Sequence, residues 1–186
     1  MDFKEFKKYA KQGIEILKLN GKVAEKISKD KKATNYAFLF VVLVGVAQAI
    51  GTFNVPGIIV TPIFTLIGSF IGVGILHILA KIFGGRADFM EFYRAFGIGY
   101  VGMWISVIPI IGPMLSGLLG LWYLAVNVVI LKSVHKLSTA KAIIVIAIPL
   151  IIMFVLFIFL AATMVALLAG VMGNTAIGMD NFPKFI

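Results

Sequence analysis

The sequence predicts an all-α, polytopic membrane protein with five transmembrane helices behind an N-terminal amphipathic helix. Three observations predict it. Hydrophobic residues fill 61% and charged residues 13% of the 186 positions, with a mean hydropathy of +1.06. A soluble domain carries about 45–50% apolar and about 25% charged residues, so soluble globular and disordered classes are excluded. Long stretches lack Asp, Glu, Lys and Arg altogether: Lys32 to Lys81, Arg94 to Lys132, and Lys141 to Asp180. The basic residues gather in the segments between them.

Residues 1–33 form a basic segment. Phe3, Phe6, Ala10, Ile14 and Leu17 recur at three and four residues, with Lys4, Lys7, Lys8, Lys11, Glu15 and Lys18 between them. That is one apolar stripe with a basic opposite face. Asn20-Gly21 breaks the stripe, and Val23, Ala24 and Ile27 continue a shorter one. Three readings are open: a helix in the headgroup plane of an anionic bilayer, with Phe3, Phe6, Ile14 and Leu17 inserted and Lys4, Lys7, Lys8 and Lys11 on headgroups; a helix packed on the protein's own loops; and a docking surface for a partner.

Residues 34–175 form the membrane domain. A crossing needs about 20 apolar residues. Gly51–Gly57, with Pro56, and Pro109–Pro113 interrupt the first two uncharged stretches, because Pro lacks a donor and restricts its predecessor. The spans read as about 36–52, 57–82, 95–109, 114–131 and 142–169. The third and fourth are short, and a re-entrant hairpin is the alternative. Gly170, Gly173 and Asn174 are expected to end the last span, leaving a short outer tail at 176–186.

Of the 17 Lys and Arg residues, all but Lys184 fall on one side in this scheme. Excess Lys and Arg mark the cytoplasmic side, so the N-terminus is expected inside and the C-terminus outside. The net charge of +9 is accounted for by topology, and no nucleic-acid partner is expected. The N-terminal residues lack the short basic stretch followed by an apolar core that marks a signal peptide, so the first span is expected to act as the insertion signal.

The candidate chemistry is sparse. No span contains Asp or Glu, and the chain has no Cys. Proton- or sodium-coupled carriers, ion pumps and intramembrane aspartyl proteases need buried carboxylates. His77 is the one ionisable group well inside a span, with a structural hydrogen-bonding role as its plain reading. His77 with His135 supplies two metal ligands at most. Gln48, Thr65, Ser69, Ser106, Asn127 and Thr163 read as interhelical hydrogen-bonding groups, or as the lining of a pore. Small residues four apart, namely Gly45/Ala49, Gly68/Gly72, Ser116/Gly120 and Ala162/Ala166/Gly170, allow close helix approach within the chain or between chains. Trp104 and Trp122 read as bundle filling. No cofactor is expected.

Several stretches resemble Yip-type proteins, the Ypt/Rab-interacting membrane proteins. They are His77-Ile-Leu-Ala-Lys-Ile-Phe-Gly84-Gly85, then Phe89 and Phe92-Tyr-Arg-Ala-Phe-Gly97, Ile108-Pro109-Ile-Ile-Gly112-Pro113, and Leu131 through His135, Ser138, Lys141 and Ala142 to Pro149. The resemblance covers about residues 35–170 and looks most like prokaryotic members, which sit in the cell membrane. It matches the five-span plan and implies a polytopic membrane protein with a cytoplasmic N-terminus; no enzymatic activity is expected. Eukaryotic members act in transport between the endoplasmic reticulum and Golgi and bind Rab-type GTPases and one another. This chain departs from them in its short, basic N-terminus without an acidic, tyrosine-containing motif, so a small GTPase partner is the implication carried over least. The expected function is membrane organisation or an adaptor role, with the bilayer and a second copy or related membrane protein as partners. The alternative is a channel or transporter for a small solute or ion, lined by Gln48, His77, Ser106 and Asn127.

Overall fold

The computed structural model describes residues 2–180, with side chains through residue 170. Several helices begin where the sequence supplies a side-chain acceptor. The Asp2 carboxylate accepts from the Lys4 N–H at 3.0 Å and opens α1, Phe3–Leu17; such capping satisfies one of the otherwise unpaired N–H groups. Leu19 takes a left-handed φ of 64°, and Asn20 Oδ1 accepts from the Val23 N–H to start α2, Gly21–Lys29. The first long apolar helix, α3, spans Ala33–Gly51. Asn54 Oδ1 accepts from the Gly57 N–H at 3.0 Å, and α4 follows over Gly57–Ile82. A reciprocal cap between Asp88 and Glu91 opens α5, Phe89–Gly99, as such pairs do. Beyond Ile110, at φ 65°, lies α6, Ile111–His135; Lys136, at φ 58°, ends it. Ser138 Oγ accepts from the Lys141 N–H at 3.3 Å at the start of α7, Thr139–Asp180.

Among the described residues, four helices are long and apolar enough to cross a membrane: Ala33–Gly51, Gly57–Ile82, Ile111–His135 and Thr139–Gly170. The expected span 95–109 is different. It is not one α-helix; α5 stops at Gly99, and a 3-10 helix continues over Tyr100–Val107. Packing explains the change. A Cβ on Gly97 would lie 2.8 Å from Ala37 Cβ, one on Gly99 3.0 Å from Ile16 Cγ2, and one on Gly102 2.7 Å from Leu17 Cδ1. The glycines that permit these approaches also weaken an α-helix by about 1 kcal/mol each. The narrower 3-10 form rises about 2.0 Å per residue and so gains length.

This broken helix runs beside α3 along its length. The Arg94 guanidinium meets Thr34, Gly97 packs on Ala37, and Gly51 packs on the Ser106 carbonyl. At one end the Arg86 N–H donates to the His135 carbonyl at 3.1 Å; at the other the Ile110 N–H donates to the Gly51 carbonyl at 3.1 Å. Helix α3 is the pillar of the core, with Ala37, Phe40, Val41 and Val44 fully buried. Gly45 brings it against α4, where a Cβ would lie 2.7 Å from Pro62 N.

The chain divides into two compact units between Ile146 and Ala147. The second holds the remainder of α7, whose side chains from residue 151 to 170 are exposed. The helix does not end at Gly170, Gly173 or Asn174 but continues to Asp180. An isolated glycine costs about 1 kcal/mol yet keeps its N–H in the ladder. Residues 181–186 of the expected tail lie outside the described residues.

Candidate functional site

The N-terminal helices pack against the first unit. Tyr9 and Ile16 of α1 and Ala24 and Ile27 of α2 are at most 1% exposed. Phe6 stacks on Trp104, centroids 5.7 Å apart, and meets Phe40 edge-on at 5.3 Å. Gly13 lets α1 touch the α5 backbone: a Cβ there would overlap the Ile98 carbonyl oxygen and lie 2.8 Å from Val101 Cγ1. At the end of α1, the Trp122 indole N–H donates to the Leu17 carbonyl at 2.9 Å. The Trp104 indole donates to the Phe40 carbonyl at 3.1 Å.

Polar bonds tie the same helices to α3 and α5. The Tyr9 hydroxyl donates to Asp30 Oδ2 at 2.7 Å, and the Asp2 N–H donates to the Tyr36 hydroxyl at 3.1 Å. Arg94 Nη1 donates to the Ser28 carbonyl at 2.7 Å and Nε to Thr34 Oγ1 at 2.8 Å. Arg94 is thus spent on joining α2, α3 and α5. Burial, then the Asp30 carboxylate, pushes the Tyr9 hydroxyl above its usual 10.0. The Lys136 and Lys29 ammonium groups hold the Glu25 carboxyl below its usual 4.5.

The eight residues expected on the membrane surface separate. Lys4, Lys7, Lys8 and Lys11 are all exposed, forming with Gln12 a shallow recess on the outer side of α1. Phe3 and Ile14 are exposed at 69% and 47%. Phe6 and Leu17 instead pack against the core. The sequence reading missed Tyr9, Gly13 and Ile16, which do the docking. Their spacing of four and three carried the signal, but they were hidden beside the more conspicuous Phe stripe.

The motif residues gather at two places. At the α3-start end, Gly85 sits where a Cβ would lie 2.7 Å from both the Ala80 carbonyl and His135 Nδ1. Gly84 adopts φ 94°, open chiefly to glycine, and Lys141 Nζ donates to the Phe83 carbonyl at 2.9 Å. His77 and His135 have ring centroids 5.2 Å apart, and His135 also meets Phe92 at 5.0 Å. His135 is fully buried, and neither of its ring nitrogens meets a partner among the described residues. At the other end, a Cβ on Gly112 would lie 2.9 Å from the Ser106 carbonyl carbon, and Pro113 borders Gly51. The turn through Pro109 places Ile110 on the Gly51 carbonyl. Both sets fasten loops to helices.

The polar residues do not join into one path. Gln48 and Ser106 line a recess of about 560 Å³ with Thr52, Asn54, Thr61 and Ser116; His77 and Asn127 are not part of it. Ser69 is spent on the Tyr93 hydroxyl at 2.8 Å. Among the described residues, no three of His, Cys, Asp and Glu are placed to hold a metal. Of the small-residue faces, Gly45 is used inside the chain, whereas a Cβ on Gly68, Gly72, Gly120 or Gly170 would meet nothing within 4 Å.

The sequence pattern of the Yip1 domain matches residues 14–162. No curated protein and no solved structure matches the chain. The matched region begins within α1, after the four exposed lysines, and takes in both motif clusters and every helix from α2 to α6. A match over that much of the sequence, carried by an all-helical fold with four apolar helices of membrane-crossing length, makes this chain an integral membrane protein of the Yip1 domain family.

Proposed function

We propose that this is a non-enzymatic membrane-organising or adaptor protein that crosses the bilayer five times. The observation that carries the reading is the two-sidedness of α1. Tyr9, Gly13 and Ile16 hold one side to the bundle, and Lys4, Lys7, Lys8 and Lys11 stand exposed on the other. A fixed row of ammonium groups beside apolar helices matches anionic headgroups, each Lys contributing on the order of 1 kcal/mol. The excess of Lys and Arg around α1, α2 and the ends of α4 and α6 supports a cytoplasmic row with the C-terminus outside.

The fifth crossing in this reading is α5 with its 3-10 extension. Running parallel to α3 from Thr34 to Gly51, it covers about 25 Å at about 1.5 Å per α3 residue. That is close to a bilayer core of about 30 Å. The unpartnered Gly68/Gly72 face of α4 suits a second copy or a related membrane protein. The cell membrane is the proposed location.

The test is reconstitution of the full chain in vesicles with labelled phosphatidylglycerol or labelled phosphatidylcholine. Energy transfer from the tryptophans should favour the anionic lipid. Replacing Lys4, Lys7, Lys8 and Lys11 by Gln should abolish the preference; an unchanged preference would sink the reading.

A further inference from the structure

The exposed apolar surface has different heights on different faces of the first unit. On α4 it runs from Ile58 to Ile82, with Ile63, Ile67, Ile71, Ile75 and Ile78 all exposed between them. At about 1.5 Å per residue that is about 36 Å, enough for the full bilayer core of about 30 Å. On α6 the large exposed apolar side chains run from Ile111 only to Trp122, about 16 Å by the same rise. Beyond Trp122, α6 is sheathed. Val126, Ile130 and Leu131 are at most 1% exposed, and α2 packs on α5 and α6 there.

Helix α1 marks where the α6 surface stops. Its Leu17 carbonyl accepts from Trp122, and its lysines point away from the bundle. The level of α1 can be transferred to α4 through α3. Phe6 of α1 meets Phe40; two residues earlier, Phe38 stacks on Phe70 of α4 at 5.5 Å. Ile71, 60% exposed, adjoins Phe70 and so lies within about a helical turn of that level, near the middle of the apolar face of α4.

We propose that the bilayer around this protein is unequal in height. Its apolar layer is full beside α4 but cut to about half beside α1 and α6, where phospholipid headgroups are drawn down to the α1 lysines. The partner of that face is a locally thinned phospholipid leaflet. The physical reason is the cost of the alternatives. A level, full-thickness bilayer would submerge four ammonium groups in hydrocarbon, or strip the α4 isoleucines of it. Mismatch costs less per ångström than either. This inference rests on the proposed placement of α1 at headgroup level, and it supplies the means by which the chain would shape a membrane.

The test uses the absence of native Cys. Leu121→Cys and Ile71→Cys, at positions 69% and 60% exposed, each carry a bimane probe in the full chain. Both go into neutral phosphatidylcholine vesicles brominated either near the headgroup or near the chain end. The Leu121 probe should be quenched more by the shallow bromines and the Ile71 probe more by the deep ones. Deeper quenching at both positions would overturn the proposal. Neutral lipid keeps the outcome independent of the lysine–headgroup test. If the Lys→Gln variant keeps its lipid preference while the two depths differ, the lysines' selectivity for anionic lipid fails, and α1 at headgroup level and the unequal height stand.

Discussion

Gly13→Leu is the sharpest perturbation of the α1 dock. Already the first added carbon would overlap the Ile98 carbonyl and lie 2.8 Å from Val101 Cγ1. Carbon atoms pack best at about 3.5–4.0 Å, so α1 must retreat by about 1 Å. Such overpacking costs about 1–3 kcal/mol. The dock it opposes rests on two fully buried side chains, Tyr9 and Ile16, worth about 1.5–3 kcal/mol for a large apolar chain. The penalty is a sizeable share of that attachment, and at about 1.4 kcal/mol per tenfold it raises the detached population roughly five- to a hundredfold. Hydrogen exchange of the α1 amides in nanodiscs should accelerate by that factor. Ile14→Ala, one position on and 47% exposed, should leave exchange nearly unchanged. Equal exchange in Gly13→Leu and the parent protein would refute the docked placement of α1.

The other contacts make separate predictions. Arg94→Lys cannot reproduce a fork that spans the Ser28 carbonyl and Thr34 Oγ1, and losing a charged hydrogen bond costs about 1.5–3 kcal/mol; the melting temperature in detergent should fall, and an unchanged one would contradict the geometry. Gly51→Ala places a Cβ on the Ser106 carbonyl oxygen, so yield of folded protein should collapse, whereas Gly120→Ala, with open space around it, should be tolerated. The Tyr9 hydroxyl is held above its usual 10.0, first by burial and then by Asp30. A raised folded value means stability that is full below pH 10.0 and lost as pH rises toward the folded pKa. Protection of α1 should therefore decline above pH 10, and Tyr9→Phe should weaken the dock at neutral pH while removing this alkaline step. Glu25 behaves oppositely, because Lys136 and Lys29 lower its pKa. Its contribution to fastening α2 is present above pH 4.5 and fades as the pH falls below that value, measurable as faster exchange of α2 amides.

What was legible in the sequence followed from length and charge. Uncharged runs such as Lys32 to Lys81 with Pro56 inside force two long apolar helices, and α3 and α4 are those helices. The third segment was legible as apolar but not as broken. Gly97, Gly99 and Gly102 are there for neighbours distant in sequence, Ala37, Ile16 and Leu17, and those neighbours decide the backbone form. The amphipathic stripe of α1 was legible too. Its burial partner was not, because an apolar face reads alike whether it meets lipid or protein. Phe6 and Leu17 went to protein while Phe3 and Ile14 remained outside. The resemblance gathered His77, Gly85 and His135 into a motif without revealing that they touch across α4, the loop and α6. Arg94 read as a loop charge, yet Ser28 and Thr34 claim it.

The docked, outward-facing α1 is tested most directly by crosslinking in native membranes. The chain has no Cys, so every crosslink formed by an introduced pair is assignable. Leu17→Cys with Gly102→Cys places sulfurs where the Leu17 Cδ1 now lies 2.7 Å from a Gly102 Cβ position, and truncating Leu17 makes the room. Copper-phenanthroline should join this pair rapidly and leave Lys8→Cys with Gly102→Cys unjoined. Rapid crosslinking of neither pair, or of both alike, would contradict an α1 that is clamped to the bundle with its lysines turned outward.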